Sequence, residues 1–328
     1  MPERATTFQT VQVGLESAAG TPVAAGKLLQ ASDVSLNIKN KGNLFTPQGQ
    51  KFATVAAPGK EWSEGKFSMP IATYDEIVYW LSASHKKVSS SADTSAGKLW
   101  TIAPAYNDAD TIATYTVEVG SSVRAHKAAY VIAPEFKFHW DREKVTCEGT
   151  LLGNALSDGI TMTAGPSAIP IVPILPGQVS VYLADTMAGL AGATALTRAL
   201  AVDYAMSDRF STLWPLRAAD TNWVAHVEKK PTVTMKLLME ADATGMGLLT
   251  QMRAGSSKYI RVEAVGAEIE TGKTYFLQLY AALKISKDPD EFKDEDGVYA
   301  IGWNFDVAYD ATATYAVQWK VRNTTASL

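Results

Sequence analysis

GKFSMPIATYDEIVYWLSASHK, residues 65–86, carries two periodicities in succession. Phe67, Met69 and Ile71 alternate with Lys66 and Ser68, the period-two pattern of a strand with one apolar and one polar face. From Tyr74 the period changes. Ile77, Val78 and Leu81 stand at helical spacing, with Tyr74 one turn earlier and Trp80 widening the apolar face. This predicts a helix over residues 74–86, opened by a capping box of Thr73 and Glu76. A half-wet strand leading into a helix that covers its dry side implies an antiparallel sheet protein with flanking helices.

Working outward, the same alternation recurs. Val34, Leu36 and Ile38 interleave with Ser35, Asn37 and Lys39; Val233, Met235 and Leu237 interleave with Thr232, Thr234 and Lys236. These strands belong to an internal repeat. VQVGLESAAGTP at 11–22 lies over VSVYLADTMAGL at 179–190, and without a gap Val34, Leu36 and Ile38 fall on Val202, Tyr204 and Met206. After a small register change, Phe67–Met69 lies over Val233–Met235, each followed by a helical segment (74–86 and 242–255). The second helix would present Met246, Leu249 and Met252, while Gly245 and Gly247 each cost it about 1 kcal/mol relative to alanine. YTVEV at 115 then resembles IRVEAV at 260, and EGTLLG at 148 resembles IGWNFD at 301. The expectation is mainly β, with tandem duplicated sandwich or barrel domains at 1–160 and 178–328 joined by the Pro/Gly-rich segment 161–177, an extended linker or an arm along a neighbour. Residues 40–60 are expected to form a long functional loop, and 87–97 and the acidic KDPDEFKDEDG of 287–297 surface loops.

The totals exclude several functions. Net charge is −4 and Lys and Arg are not clustered, against a protein that grips nucleic acid by its phosphates. One cysteine, Cys147, excludes an internal disulfide and a multi-cysteine zinc site. The first residues lack an apolar signal core, and no apolar run reaches bilayer length, so synthesis in the cytoplasm without a membrane anchor is expected. Phosphate-binding glycine loops, HExxH and GxSxG are absent. His85, His126, His139 and His226 are far apart in sequence and read as isolated side chains. Asp288, Asp290, Asp294 and Asp296 lack the ligand order of an EF-hand and read as a solvated hairpin tip. The eight tryptophans read as core and interface packing. No catalytic residue, metal site or cofactor is expected.

VGLESAAGTPVAA at 13–25, then GKEWSEGKFSMPI at 59–71 and YDEIVYWL at 74–81, resemble the major tail tube proteins of long-tailed, non-contractile bacteriophages. The Glu-small-small-small-Gly-Thr-Pro stretch at residues 16–22 carries much of the likeness, which covers roughly residues 10–90 and reaches the second half through the repeat. The resemblance implies a structural virion protein whose strands join those of neighbouring subunits in a barrel around a lumen, with rings stacking into a tube that conducts double-stranded DNA. It also implies tape measure and tail terminator proteins as partners. A duplicated chain would form a pseudo-sixfold ring from three copies; six copies are the alternative.

On that reading Ser35, Asn37, Lys39, Ser68, Asp203, Ser207, Thr232, Thr234 and Lys236 would face the lumen. Lys41, Leu44, Phe45, Lys51, Phe52 and Lys60 would bridge rings, their lysines meeting the acidic segment 287–297 across an interface. Another tube-fold component, such as a tail terminator or contractile inner tube, is the nearest alternative. A carbohydrate-binding or adhesin β-sandwich using the tryptophans as a platform is the alternative from a different class.

Overall fold

A computed structural model describes residues 8–216, 221–295 and 297–328. The chain is mainly β. Its first half runs β1 (Thr10–Leu15), β2 (Lys27–Leu29), β3 (Asp33–Phe45), β4 (Val55–Met69), α1 (Ile77–Ser84), β5 (Ser91–Ala92), β6 (Lys98–Ile102), β7 (Tyr115–Gly120), β8 (Ala125–Val131), β9 (Phe136–Trp140), β10 (Val145–Gly153), β11 (Leu156–Asp158) and β12 (Ser167–Ala168). The second runs β13 (Val179–Ala184), β14 (Ala199–Ser207), β15 (Phe210–Leu213), β16 (Ala225–Glu228), β17 (Thr232–Glu240), α2 (Ala243–Ala254), β18 (Lys258–Glu270), β19 (Lys273–Ile285), β20 (Asp290–Glu295), β21 (Val298–Ala308) and β22 (Val317–Asn323).

The pairing scheme of the first half recurs in the second. β1 pairs with β7 as β13 pairs with β18; β3 with β4 as β14 with β17; β4 with β10 as β17 with β21; β8 with β11 as β19 with β22. The segments superposed in sequence fall on corresponding strands, but not always in the same register: Phe67 faces Val34 whereas Val233 faces Met206 and not Val202, and Ser68 faces Glu148 whereas Thr234 faces Asp306, five residues beyond Ile301. The two halves nevertheless share one sheet. β9 pairs with β14, and β22 pairs with β6, so strands from both sides of residues 161–177 belong to the 14-stranded sheet. A separate 6-stranded sheet, β11-β8-β7-β1-β2-β12, completes the first half. Residues from both sheets contribute to one large buried apolar cluster.

The alternating strands behave as their pattern dictates. Val34, Leu36, Phe67, Met69, Val202, Tyr204, Met206, Met235 and Leu237 are buried. Ile38 and Ile71 depart from the pattern and are 55% and 53% exposed, because β3 leaves the body of the protein at Ile38 and β4 ends at Met69, before Ile71. Five tryptophans (Trp80, Trp100, Trp223, Trp303 and Trp319) are fully buried, in accord with a packing role.

Helix α1 corrects its expected outline. It spans Ile77–Ser84, shorter than 74–86, and every residue is buried, so it is a core helix and not an amphipathic cover. Trp80 stacks on Phe67 of β4 at 4.3 Å, while Tyr79 meets Tyr115 of β7. Only half of the capping box forms. The Thr73 hydroxyl accepts from the Glu76 amide at 3.3 Å, but the Glu76 carboxylate turns away to accept from the amides of Gln30 and Ala31 and the hydroxyl of Ser32, at 2.6, 2.8 and 2.7 Å. Helix α2 matches its expected limits, capped by the Asp242 side chain and by Gly255 in the left-handed region (φ 60°). Leu248, and not Met246, is its buried anchor; Met246 is 42% exposed. Gly245 is required because a Cβ there would lie 2.4 Å from the Glu240 carbonyl oxygen.

Two irregular segments are anchored to the sheets. Residues 161–177 lie along the chain's own β2 and the entry to α1. Ser167 and Ala168 pair in parallel with Lys27 and Leu28, Ile174 donates to Ala72, and Ile169 and Ile174 are buried. The motif at residues 16–22 is a turn held by buried Glu16, whose carboxylate accepts from the Gly20 amide (2.8 Å), the Tyr130 amide (2.8 Å) and the Thr116 hydroxyl (3.0 Å). Gly20 has φ 82° and lies so close to Tyr130 that a Cβ would come within 2.8 Å of its ring.

Candidate functional site

Residues directly opposite in an antiparallel ladder lie on the same face, so the registers trace the polar surface across the 14-stranded sheet. One row runs Asp33, Ser68, Glu148, Lys137, Ala205, Thr234, Asp306, Lys284, crossing β3, β4, β10, β9, β14, β17, β21 and β19 in turn. A neighbouring row runs Thr146, His139, Asp203, Lys236, Asn304. All nine residues expected on a wet face (Ser35, Asn37, Lys39, Ser68, Asp203, Ser207, Thr232, Thr234 and Lys236) fall on this face, and each is at least partly exposed. Lys66, already read as polar-face, lies with them; Glu64, Lys137, His139, Glu148, Asn304 and Asp306 join them and were missed. Continuing the alternation of β4, β9, β10 and β21 would have found them.

The charges on this face are mixed. Lys39, Lys66, Lys137, Lys236 and Lys284 are interspersed with Asp33, Glu64, Glu148, Asp203 and Asp306, and Lys137 pairs with Glu148 at 3.6 Å. Such a surface has no cationic stripe that would hold a polyphosphate in place.

The β9–β14 ladder, where the halves meet, carries a charged clamp. His139 Nδ1 lies 2.5 Å from Asp203 and Nε2 lies 2.8 Å from Asp141. The hydrogen bond to Asp203 raises the His139 pKa to about 9 against the opposing effect of burial, with Asp141 reinforcing it. His139 is therefore protonated at neutral pH. A group whose folded pKa exceeds its ordinary 6.5 stabilises the fold fully below pH 6.5 and loses that contribution as pH rises through about 9. With the imidazole 36% exposed, solvent screening leaves about 1 kcal/mol. Urea midpoints for the protein and for His139→Gln should converge between pH 6.5 and 9.5; a gap that does not change with pH would remove this clamp from the account.

Residues 40–60 are not a loop. β3 and β4 continue as a two-stranded ribbon to Phe45 and Val55, with a tip at 46–54. Both faces of this arm meet solvent, and Leu44, Phe45 and Phe52 are 77%, 61% and 79% exposed. At its base Lys60 sits 4.7 Å above the ring of Trp214, which also meets Trp62 edge to face, so Lys60 braces the arm within its own chain. Lys41 and Lys51 are exposed farther out. The corresponding connection of the second half folds into the small β15–β16 hairpin, packed through Phe210 and Trp223 against Tyr130 and Ile132 of the first half.

The acidic segment 287–297 is a hairpin, formed by β20 and the start of β21. Asp290 accepts from Lys236 at 2.6 Å, and Arg142 lies 3.6 Å from Glu295; Asp296 lies outside the described residues. Phe292 and Tyr299 are 84% and 75% exposed.

Among the described residues no group of three or more His, Cys, Asp or Glu is placed to hold a metal ion, and no helix is long and apolar enough to cross a membrane. His85 is buried between Ser84 and Tyr204, its pKa held well below the usual range by burial and by Arg209. Cys147 is buried and unpaired, its thiol pushed up by burial. No protein-family model matches the chain, and no curated protein is similar to it.

Proposed function

We propose that the chain is a tail tube subunit of a long-tailed phage, a virion protein that closes into rings and stacks them into a DNA conduit. The observation that carries this reading is the β9–β14 ladder. There the edge of the first half's polar sheet is extended by the strand that begins the second half's. The counterpart of β14 is β3, whose ladder partner among the described residues is β4 alone. The counterpart of β9 is the end of β19, which meets β21 by the same type of register. Ala282 and Leu283 also pair with β18, so among the described residues the open edges are β3 on one side and Lys284 and Ile285 on the other. Joining Lys284 and Ile285 of one copy to β3 of the next would be the counterpart of the β9–β14 junction and would cover part of both edges. The recurring pairing scheme favours a duplicated chain, and three copies would then give a pseudo-sixfold ring. The mixed charge of the polar face suits a lumen through which DNA slides without specific binding. On this reading, tape measure and tail terminator proteins are further partners.

Electron microscopy of concentrated protein, with rotational averaging of end-on views, tests this. Stacked rings with an open centre and three chains each are expected. Rings of six chains would keep the tube and discard the duplicated-ring arithmetic. A protein that stays monomeric at every concentration, even when seeded with tail-tip fragments, would overturn the reading.

A further inference from the structure

The projecting arm and the acidic hairpin leave opposite ends of the same polar sheet. The registers fix this. Phe45 ends β3 beyond Lys39, on the side where Ser207 of β14 pairs with Thr232 of β17. At the other end of β17, Glu240 pairs with Ala300, and the β20–β21 hairpin lies beyond that pair. One rim therefore carries the arm and the other the hairpin.

The two features are complementary in chemistry. Residues 40–60 contain Lys41, Lys51 and Lys60 and no aspartate or glutamate, and they expose Leu44, Phe45 and Phe52. Segment 287–297 carries Asp288, Asp290, Glu291, Asp294 and Glu295 against Lys287 and Lys293, with Asp290 already held by Lys236 and Lys293, so it remains acidic. Against α2 it forms an apolar recess lined by Ala241, Met246, Phe292, Tyr299, Ala300 and Ile301. Large exposed apolar side chains on a protruding element, matched by an apolar recess with charges of the opposite sign, mark an interaction surface. The chain itself supplies both surfaces, on opposite ends, so their union is heterologous and open-ended.

We infer that the arm of one copy docks its apolar tip into the Phe292–Tyr299 recess of a second copy, with Lys41 and Lys51 facing the hairpin carboxylates. This rests on the stacking reading above and names the surface that receives the arm. A partner of another kind in the recess would appear as failure of the self-association tested here.

Cysteine pairing tests the contact cleanly, because Cys147, the one native thiol, is 1% exposed. Gln50→Cys at the arm tip and Val298→Cys beside the recess spare the anchors. Mixed under mild oxidation, the two variants should form a disulfide-linked pair at least tenfold faster than either variant alone. Lys51→Glu should slow that linkage about tenfold, and adding Glu291→Lys on the partner should restore it, with circular dichroism unchanged. Rings that stack normally while no mixed linkage forms would overturn this inference and leave the tube reading standing. Linkage into head-to-tail oligomers that never close into rings would support this contact and overturn the ring.

Discussion

Arg209→Met is expected to lower unfolding free energy by about 3–5 kcal/mol, the cost of leaving one half of a buried ion pair without its partner. Only 2% of the Arg209 side chain is exposed, and its guanidinium lies 2.8 Å from Asp110 and 2.8 Å from Glu228. Asp110 is itself buried, accepts from the Ala105 amide, and lies 3.1 Å from Lys86. Without Arg209, Asp110 and Glu228 would confront each other through the Asp110 amide, which already donates to Glu228 at 2.8 Å. A folded domain holds in reserve about 5–15 kcal/mol, so the loss would be a large share of it. Urea denaturation followed by tryptophan fluorescence would measure the change. Combining Arg209→Met with Asp110→Asn should recover part of the stability by removing a buried carboxylate whose one remaining cation, Lys86, is partly exposed. An unchanged midpoint in the single variant would mean that the pair is held by its surroundings and holds nothing in return.

Glu76→Ala is expected to be nearly as damaging, at about 3 kcal/mol or more, because three donors would lose their acceptor in the core. The amides of Gln30 and Ala31 and the Ser32 hydroxyl all point at one carboxylate that is fully buried. Ser32 also accepts from Trp80 Nε1 at 3.0 Å, and Trp80 is stacked on Phe67, so the network fixes the chain between β2 and β3 against α1. Glu76→Gln keeps one acceptor oxygen and should lose about half as much. Equal stability of the alanine and glutamine variants in the same urea assay would contradict this assignment.

The alternating strands were legible because each has one dry and one wet face, which writes the period into the sequence. That sufficed to place all nine wet-face residues together. The arm was not legible for the same reason inverted. A ribbon wet on both faces has no alternation to display, and the Pro, Gly and Asn of residues 40–60 suggested a loop. Helix α1 was read as one-faced from Ile77, Val78 and Leu81, yet the polar residues on and beside it are buried too: Glu76, Ser84 and His85 find polar partners, while the Ser82 hydroxyl is buried without one. Arg209 and Asp110 are 99 residues apart, and no local pattern foretells that such charges meet. His139 looked isolated for the same reason; its partner Asp203 comes from the other half.

The β9–β14 ladder has a kinetic side. Because both strands lie on one polypeptide, that junction forms at a rate independent of protein concentration, as a tethered pair with a high effective local concentration. Any closed assembly of this chain would then need bimolecular encounters for only every second junction. The onset of assembly would depend on dilution with a correspondingly lower power than for an assembly of separate single-domain subunits.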